Sequence, residues 1–200
     1  MLFLAHTGIT LGAVAIVAGL STIHPARYPS QSITSRLGYP FRIISQGLTS
    51  LGKLIDTRLL LIAALLPDII DKPLGLLLLK ETLNSSRIFS HTLLFAIFTA
   101  VAGLYLYRQR NRTWLLVLSF GILMHLILDQ MWLAPETLFW PLSSSGFEES
   151  GSTDWLSGIL HTLVTNPRVY IAEMVGVAII AWFLLLHRRD IYALIRYGRV

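Results

Sequence analysis

Five stretches of this chain are strongly apolar: residues 2–20, 59–79, 90–107, 114–131 and 169–187. Each approaches the roughly 20 residues that a helix needs to cross the hydrocarbon of a bilayer. The pattern predicts an all-α, polytopic membrane protein with about five transmembrane or re-entrant helices. The second stretch is irregular, because Pro67, Asp68 and Asp71 follow the apolar residues 59–66, and Lys72-Pro73 precede the leucine-rich 74–79. Stopped at Asp71, a helix from residue 59 spans only about 20 Å, so this segment is expected to be broken or to face a funnel. Residues 41–55 alternate apolar and polar at roughly helical spacing, which suits an interfacial helix. Residues 132–168 read as a long connection rich in Ser, Gly and acids.

The exceptions inside the apolar stretches carry the chemistry. His125 and Asp129 stand four residues apart, hence one above the other on a helix. His6, Asp68, Asp71 and His91 repeat the oddity in the other segments. An aspartate at the centre of a membrane helix costs roughly 2.5–3.5 kcal/mol on insertion scales, a cost that commonly marks function. For each residue alone a blander role suffices. A histidine can be a hydrogen-bonded packing residue, Asp68 and Asp71 can cap a helix that starts near Pro73, and His125 with Asp129 can be a structural pair or half of a proton relay.

Charge supplies an orientation. Residues 21–58, the loop 108–112 and the C-terminal tail carry twelve Lys and Arg between them, against four (Lys72, Lys80, Arg87, Arg168) on the other side. The positive-inside bias puts the N-terminus outside and the C-terminus in the cytoplasm. It also brings His6, Asp68, Asp71, His91, His125 and Asp129 to one leaflet, with Glu173 opening the last helix there. A single site explains six coincidences at one depth better than six separate roles.

Composition agrees with a membrane home. Of the 200 residues 54% are hydrophobic and 14% charged, against about 25% charged in soluble proteins. The length suits a single domain, residues 1–200. The net charge of +5 gathers in short loops, as the positive-inside bias requires, so no nucleic-acid partner is expected. The N-terminus lacks the basic region of a cleavable signal, and the first stretch reads as a retained helix. There is no cysteine, which excludes disulfides and thiolate metal sites. Histidines and carboxylates remain, a nitrogen–oxygen set that takes zinc first, with manganese and iron also suited. Of Asp68 and Asp71, one can bind metal while the other steadies a ligand. Arg87, four before His91, is either a phosphate clamp or a flanking charge. His24, His161 and His187 fall outside the cluster, and Gly8 with Gly12 form a small-xxx-small pair.

Five motifs then stand in order: Ala5-His6-Thr7, Leu65-Leu66-Pro67-Asp68-Ile69-Ile70-Asp71, Arg87-Ile88-Phe89-Ser90-His91-Thr92, Gly121 to Asp129, and Leu138-Phe139-Trp140-Pro141-Leu142. Together they resemble the LexA-regulated, membrane-bound metal-dependent hydrolases (the YdjM-like family), which are distantly similar to zinc phospholipase C and P1-type nucleases. The resemblance implies a principal metal site of Asp68 or Asp71, His91, His125 and Asp129, with His6 serving a neighbouring ion. It departs where the soluble enzymes carry further histidines, since only His161 and Glu173 follow, at unlike spacing; one or two ions are expected rather than three. The expected function is hydrolysis of a phosphoester of a lipid or lipid-linked substrate at the outer leaflet of the inner membrane. Asp68, Asp71 and Arg87 would do the catalytic work, and residues 132–168 could close over the site. A transporter or channel for a metal ion or protons would use the same residues, but it needs polar groups in the inner halves of the spans. Residues 14–20, 59–63, 100–107, 114–120 and 180–186 hold no charge.

Overall fold

The structure is a computed structural model that describes residues 3–22, 55–83, 85–143, 146–147, 155–188 and 192. Among them every regular element is helical. Helix α1 is Phe3–Thr22 and α2 is Thr57–Pro73, which runs on into a π-helical turn, Leu74–Leu78. A 3-10 turn, Phe89–His91, leads into α3 (Leu93–Arg110), followed by α4 (Trp114–Leu128) and a second 3-10 turn, Met131–Leu133. The chain closes with short α5 (Pro135–Leu138), α6 (Trp155–Thr165) and α7 (Pro167–Leu186).

All five apolar stretches thus form helices, but the second is not broken where the sequence predicts. Helix α2 continues through Pro67, so α2 and its π turn run from Thr57 to Leu78, roughly 30 Å. Asp68 and Asp71 sit inside this helix and do not cap one beginning at Pro73. The start of α2 is set by Asp56, whose carboxylate accepts from the Arg58 and Leu59 amides at 3.0 and 3.4 Å. The Arg58 guanidinium beside it holds the Asp56 carboxyl below the usual carboxylate range. Helix α6 lies in the connection that reads as irregular. Its apolar pairs at 155–156, 159–160 and 163–164 recur every four residues, a helical signal hidden by Ser- and Gly-rich flanks. The predicted interfacial helix at 41–55 lies outside the described residues.

Helix α2 is central: it lies against α1 and α4, while α1 also packs on α7 and α3 on α4. Small residues permit these approaches. Gly8 of α1 faces the Gly176 backbone of α7, and Gly176 in turn faces the Leu4 carbonyl. Gly12 meets the Ile179 side chain, so the small-xxx-small pair does mark a helix contact. Gly121 of α4 lies against Ala63 of α2, where any Cβ would collide with the backbone.

Burial is inverted relative to a water-soluble fold. His6, Asp71, His91 and His125 are fully buried, whereas Phe98, Val101 and Tyr105 of α3 and Trp182 and Leu185 of α7 are exposed. Apolar surface outside and ionisable groups inside suit a hydrocarbon solvent. By length and composition one described helix, Pro167–Leu186, is long and apolar enough to cross a membrane; Phe3–Ile16 and Trp114–Leu128 are apolar but shorter.

Replacing Gly121 or Gly176 by Leu is expected to destabilise the fold by about 1–3 kcal/mol through overpacking. The check is the thermal midpoint in detergent, which should fall for both and stay unchanged for Leu at the exposed Tyr105.

Candidate metal centre

The centre is assembled at one end of the helices, where α2 ends, α4 ends and α1 begins. Helix α2 provides Ala64, Asp68 and Asp71 from successive turns of one face. Asp71 is fully buried and holds the segment that crosses above it. Its carboxylate accepts from the amides of Ile88 (2.8 Å), Ser90 (3.1 Å) and His91 (3.2 Å), and from His91 Nδ1 at 2.7 Å. Ser90 Oγ adds a bond to the Pro67 carbonyl at 3.0 Å. These bonds fix both the position of His91 and the direction of its ring.

His125 is fixed in the same manner from another quarter. Its Nδ1 lies 2.7 Å from the Ala64 carbonyl, a contact made available by the close approach of Gly121 to Ala63 one turn earlier. Carboxylate and carbonyl oxygens only accept, so both Nδ1 atoms carry the proton. In the neutral rings each Nε2 then presents a bare lone pair. Those two nitrogens are 3.2 Å apart, and Asp68 Oδ1 stands 3.7 Å from one and 3.9 Å from the other. Ligand atoms roughly 2.0–2.2 Å from one zinc in a tetrahedral array lie about 3.3–3.6 Å from each other. The trio Asp68, His91 and His125 therefore fits a divalent ion. A shared proton could link the two nitrogens, but it would leave the Asp68 oxygen unused.

A second trio adjoins the first. His6 Nε2 meets Asp129 Oδ1 at 3.1 Å, and the His6 ring stacks on His125 with centroids 4.2 Å apart. His6, His125 and Asp129 lie within metal-ligand range of one another. Both trios draw on His125, whose Nδ1 is committed to Ala64. Its one remaining nitrogen can serve one ion only, so the two sites overlap.

All six residues expected from the sequence come together. Asp71 stands behind His91, as the steadying member of the aspartate pair, and Arg87 reaches Asp129 Oδ2 through Nε and Nη2 at 3.2 and 3.0 Å. Glu173, noted in the sequence for its depth and for its unlike spacing after the motifs, accepts from the Leu4 and Ala5 amides at 3.1 and 3.3 Å, so α7 caps the turn of α1 that carries His6. A carboxylate alone in the apolar 169–187 was the available signal. Lys72 enters the sequence reading only as one of four basic residues on the outer side, yet it lies 2.7 Å from Asp68 Oδ2; the i, i+4 spacing could have revealed it. His161 is exposed and His187 ends α7, both away from the centre; His24 lies outside the described residues. Trp140 and Phe147 pack on Phe89 with centroids 5.4 Å away, so part of the 132–168 connection lies beside the site.

The family model of the YdjM inner membrane proteins matches residues 1–195. The chain belongs to the YdjM inner membrane protein family. Neither a curated protein nor a solved structure matches it. For this YdjM-family chain the match covers all of the site residues, so the whole His/Asp cluster lies within the family's span. It also supports an inner-membrane location, in keeping with the apolar exterior of α3 and α7.

Because Asp71 orients His91, Asp71→Asn should weaken divalent-metal binding by about 10–100-fold without unfolding the protein. Metal titration of the purified variant, with circular dichroism beside it, checks both halves of this statement.

Proposed function

We propose that this chain is a membrane-embedded, metal-dependent hydrolase acting on a phosphoester of a lipid or lipid-linked substrate at the outer leaflet. The observation that carries the reading is the convergence of His91 Nε2, His125 Nε2 and Asp68 Oδ1, which lie 3.2–3.9 Å from one another. Zinc fits this nitrogen–oxygen set, with manganese and iron as alternatives. One ion at the Asp68 trio is the primary site, and a second would rely on His6 and Asp129. A divalent ion bound there supplies an activated water and polarises a phosphoryl oxygen.

The residues of the chain do the rest. Asp71 and the Ala64 carbonyl hold the two imidazoles in one tautomer, so their lone pairs face the centre without rearrangement. Asp129, between His6 and Arg87, would be the carboxylate ligand of the second trio. A lipid substrate is favoured by the apolar rim. Leu77 and Leu78 follow Lys72, and Trp132 and Leu133 follow Asp129, all of them exposed. In this reading α1, α2 with its π turn, α3, α4 and α7 are the five spans and the N-terminus faces outward. A through-path for ions is disfavoured because the charged groups crowd one end of the helices.

Elemental analysis of detergent-purified protein is the test. Near-stoichiometric zinc or manganese is expected in the wild type. It should be lost in His91→Ala and His125→Ala and reduced in Asp129→Ala, with each variant still helical. Metal-loaded protein should then cleave a phosphoester, at least 100-fold faster than His125→Ala. Wild-type protein that neither holds nor takes up either metal would remove the hydrolase reading, and metal flux into proteoliposomes would favour transport.

A further inference from the structure

Two cations reach this site without belonging to the ligand set. Lys72 Nζ lies 2.7 Å from Asp68 Oδ2, and Arg87 Nε and Nη2 lie 3.2 and 3.0 Å from Asp129 Oδ2. The two carboxylates are used alike. In Asp68, Oδ1 turns to His91 and His125 while Oδ2 holds Lys72. In Asp129, Oδ1 turns to His6 while Oδ2 holds Arg87. Both carboxylates are nearly buried, at 6% and 5% exposure, whereas the side chains of Lys72 and Arg87 keep 20% and 34%. The cations are thus where the buried centre meets its surroundings.

Charge neutralisation alone explains less than this arrangement contains. On the metal-site reading above, on which this inference rests, a divalent ion would offset Asp68 and make the Lys72 charge surplus there. Asp71 is already satisfied by three amides and His91. Asp68, Asp71, Asp129 and Glu173 would then balance Lys72, Arg87 and a divalent ion, so a phosphate arriving at the mouth would meet two cations whose carboxylate partners the ion already offsets. Separate elements deliver the two cations. Lys72 comes from α2 and also sits over the Phe3 ring, 4.8 Å from its centroid. Arg87 comes from the segment tied down by Asp71, and its backbone is held by Ser85 Oγ, which bonds both its amide and its carbonyl. A guanidinium fork on one trio and an ammonium on the other, the two trios sharing His125, suit the non-bridging oxygens of a phosphate group.

We propose that Lys72 and Arg87 are the phosphate-recognising pair of this site. Without substrate they hold Asp68 and Asp129. When a phosphate group arrives beside the metal, they transfer hydrogen bonds to its non-bridging oxygens. A lipid headgroup and a soluble ester present the same phosphate oxygens, so the recognising chemistry is shared.

The test uses full-length, zinc-loaded protein in phosphatidylcholine nanodiscs, with two probes: inorganic phosphate in solution and phosphatidic acid in the bilayer. Lys72→Met and Arg87→Met should each keep their zinc and bind phosphate roughly tenfold more weakly or worse, the loss of one charge-assisted bond. Lys72→Arg should recover much of that loss, which a packing role would not require. Tighter binding of phosphatidic acid than of free phosphate supports a lipid headgroup as the source; the reverse supports a soluble ester. Unchanged phosphate affinity in both Met variants overturns the pair, as does loss of zinc from either, because the cation would then only position a metal ligand. Wild type that binds neither probe overturns it too. If phosphoester hydrolysis persists with unchanged KM in the Met variants, the pair fails while the hydrolase stands. If the wild type takes up no zinc, both readings fall.

Discussion

The carboxylate of Asp71 is the contact on which the rest of this site depends. It lies inside α2 with no exposure, yet it gathers three backbone amides and one imidazole from residues 88–91. A buried charge is stable only when donors surround it, and these four surround it. The same bonds pin the segment before α3, set the His91 ring and bring Arg87 to Asp129. Were Asp71 replaced by an apolar residue, the amides of Ile88, Ser90 and His91 would each need another acceptor.

The architecture places that contact in a particular solvent. Apolar side chains of α3 and α7 point outward while histidines and aspartates fill the interior. In hydrocarbon no burial of apolar surface drives the helices together, so close packing and polar bonds must hold them. The glycine contacts show how. Gly8 and Gly176 let α1 meet α7, and Gly121 lets α4 meet α2 closely enough for His125 to reach the Ala64 carbonyl. Packing and chemistry are therefore one problem here: the residue that removes a side chain is the residue that allows the ligand to be oriented. Glu173 makes the same point from α7, since the cap it gives α1 fixes the turn bearing His6.

Much of this was legible along the chain. The five apolar stretches could be read as helices because length and hydrophobicity are local properties. The ionisable residues stood out because little else in those stretches is charged, Lys72 and Glu173 being the exceptions. Their meeting at one end followed from the distribution of Lys and Arg, a bias that acts on whole segments. The continuation of α2 through Pro67 was not legible. Proline removes one helical bond and normally bends or stops the helix, and only contacts from neighbouring helices override that preference. Helix α6 was missed because its flanks resemble a loop.

What the sequence determined by itself was the inventory: helices, their membrane character, and six residues able to bind or steady a metal. What the tertiary structure decided was how those residues divide their work. Asp68 and Asp71 are three residues apart and chemically identical, yet one faces the two imidazoles and the other stands behind His91. His125 joins two overlapping trios because one of its nitrogens is taken by a carbonyl 61 positions away in the chain. Lys72, only an outer-side charge in the sequence, and Arg87, there either a phosphate clamp or a flanking charge, become partners of Asp68 and Asp129. Spacing along a helix fixes which residues share a face. Which atom of each side chain turns toward a ligand depends on donors and acceptors supplied by other helices, and those are known only once the helices have packed.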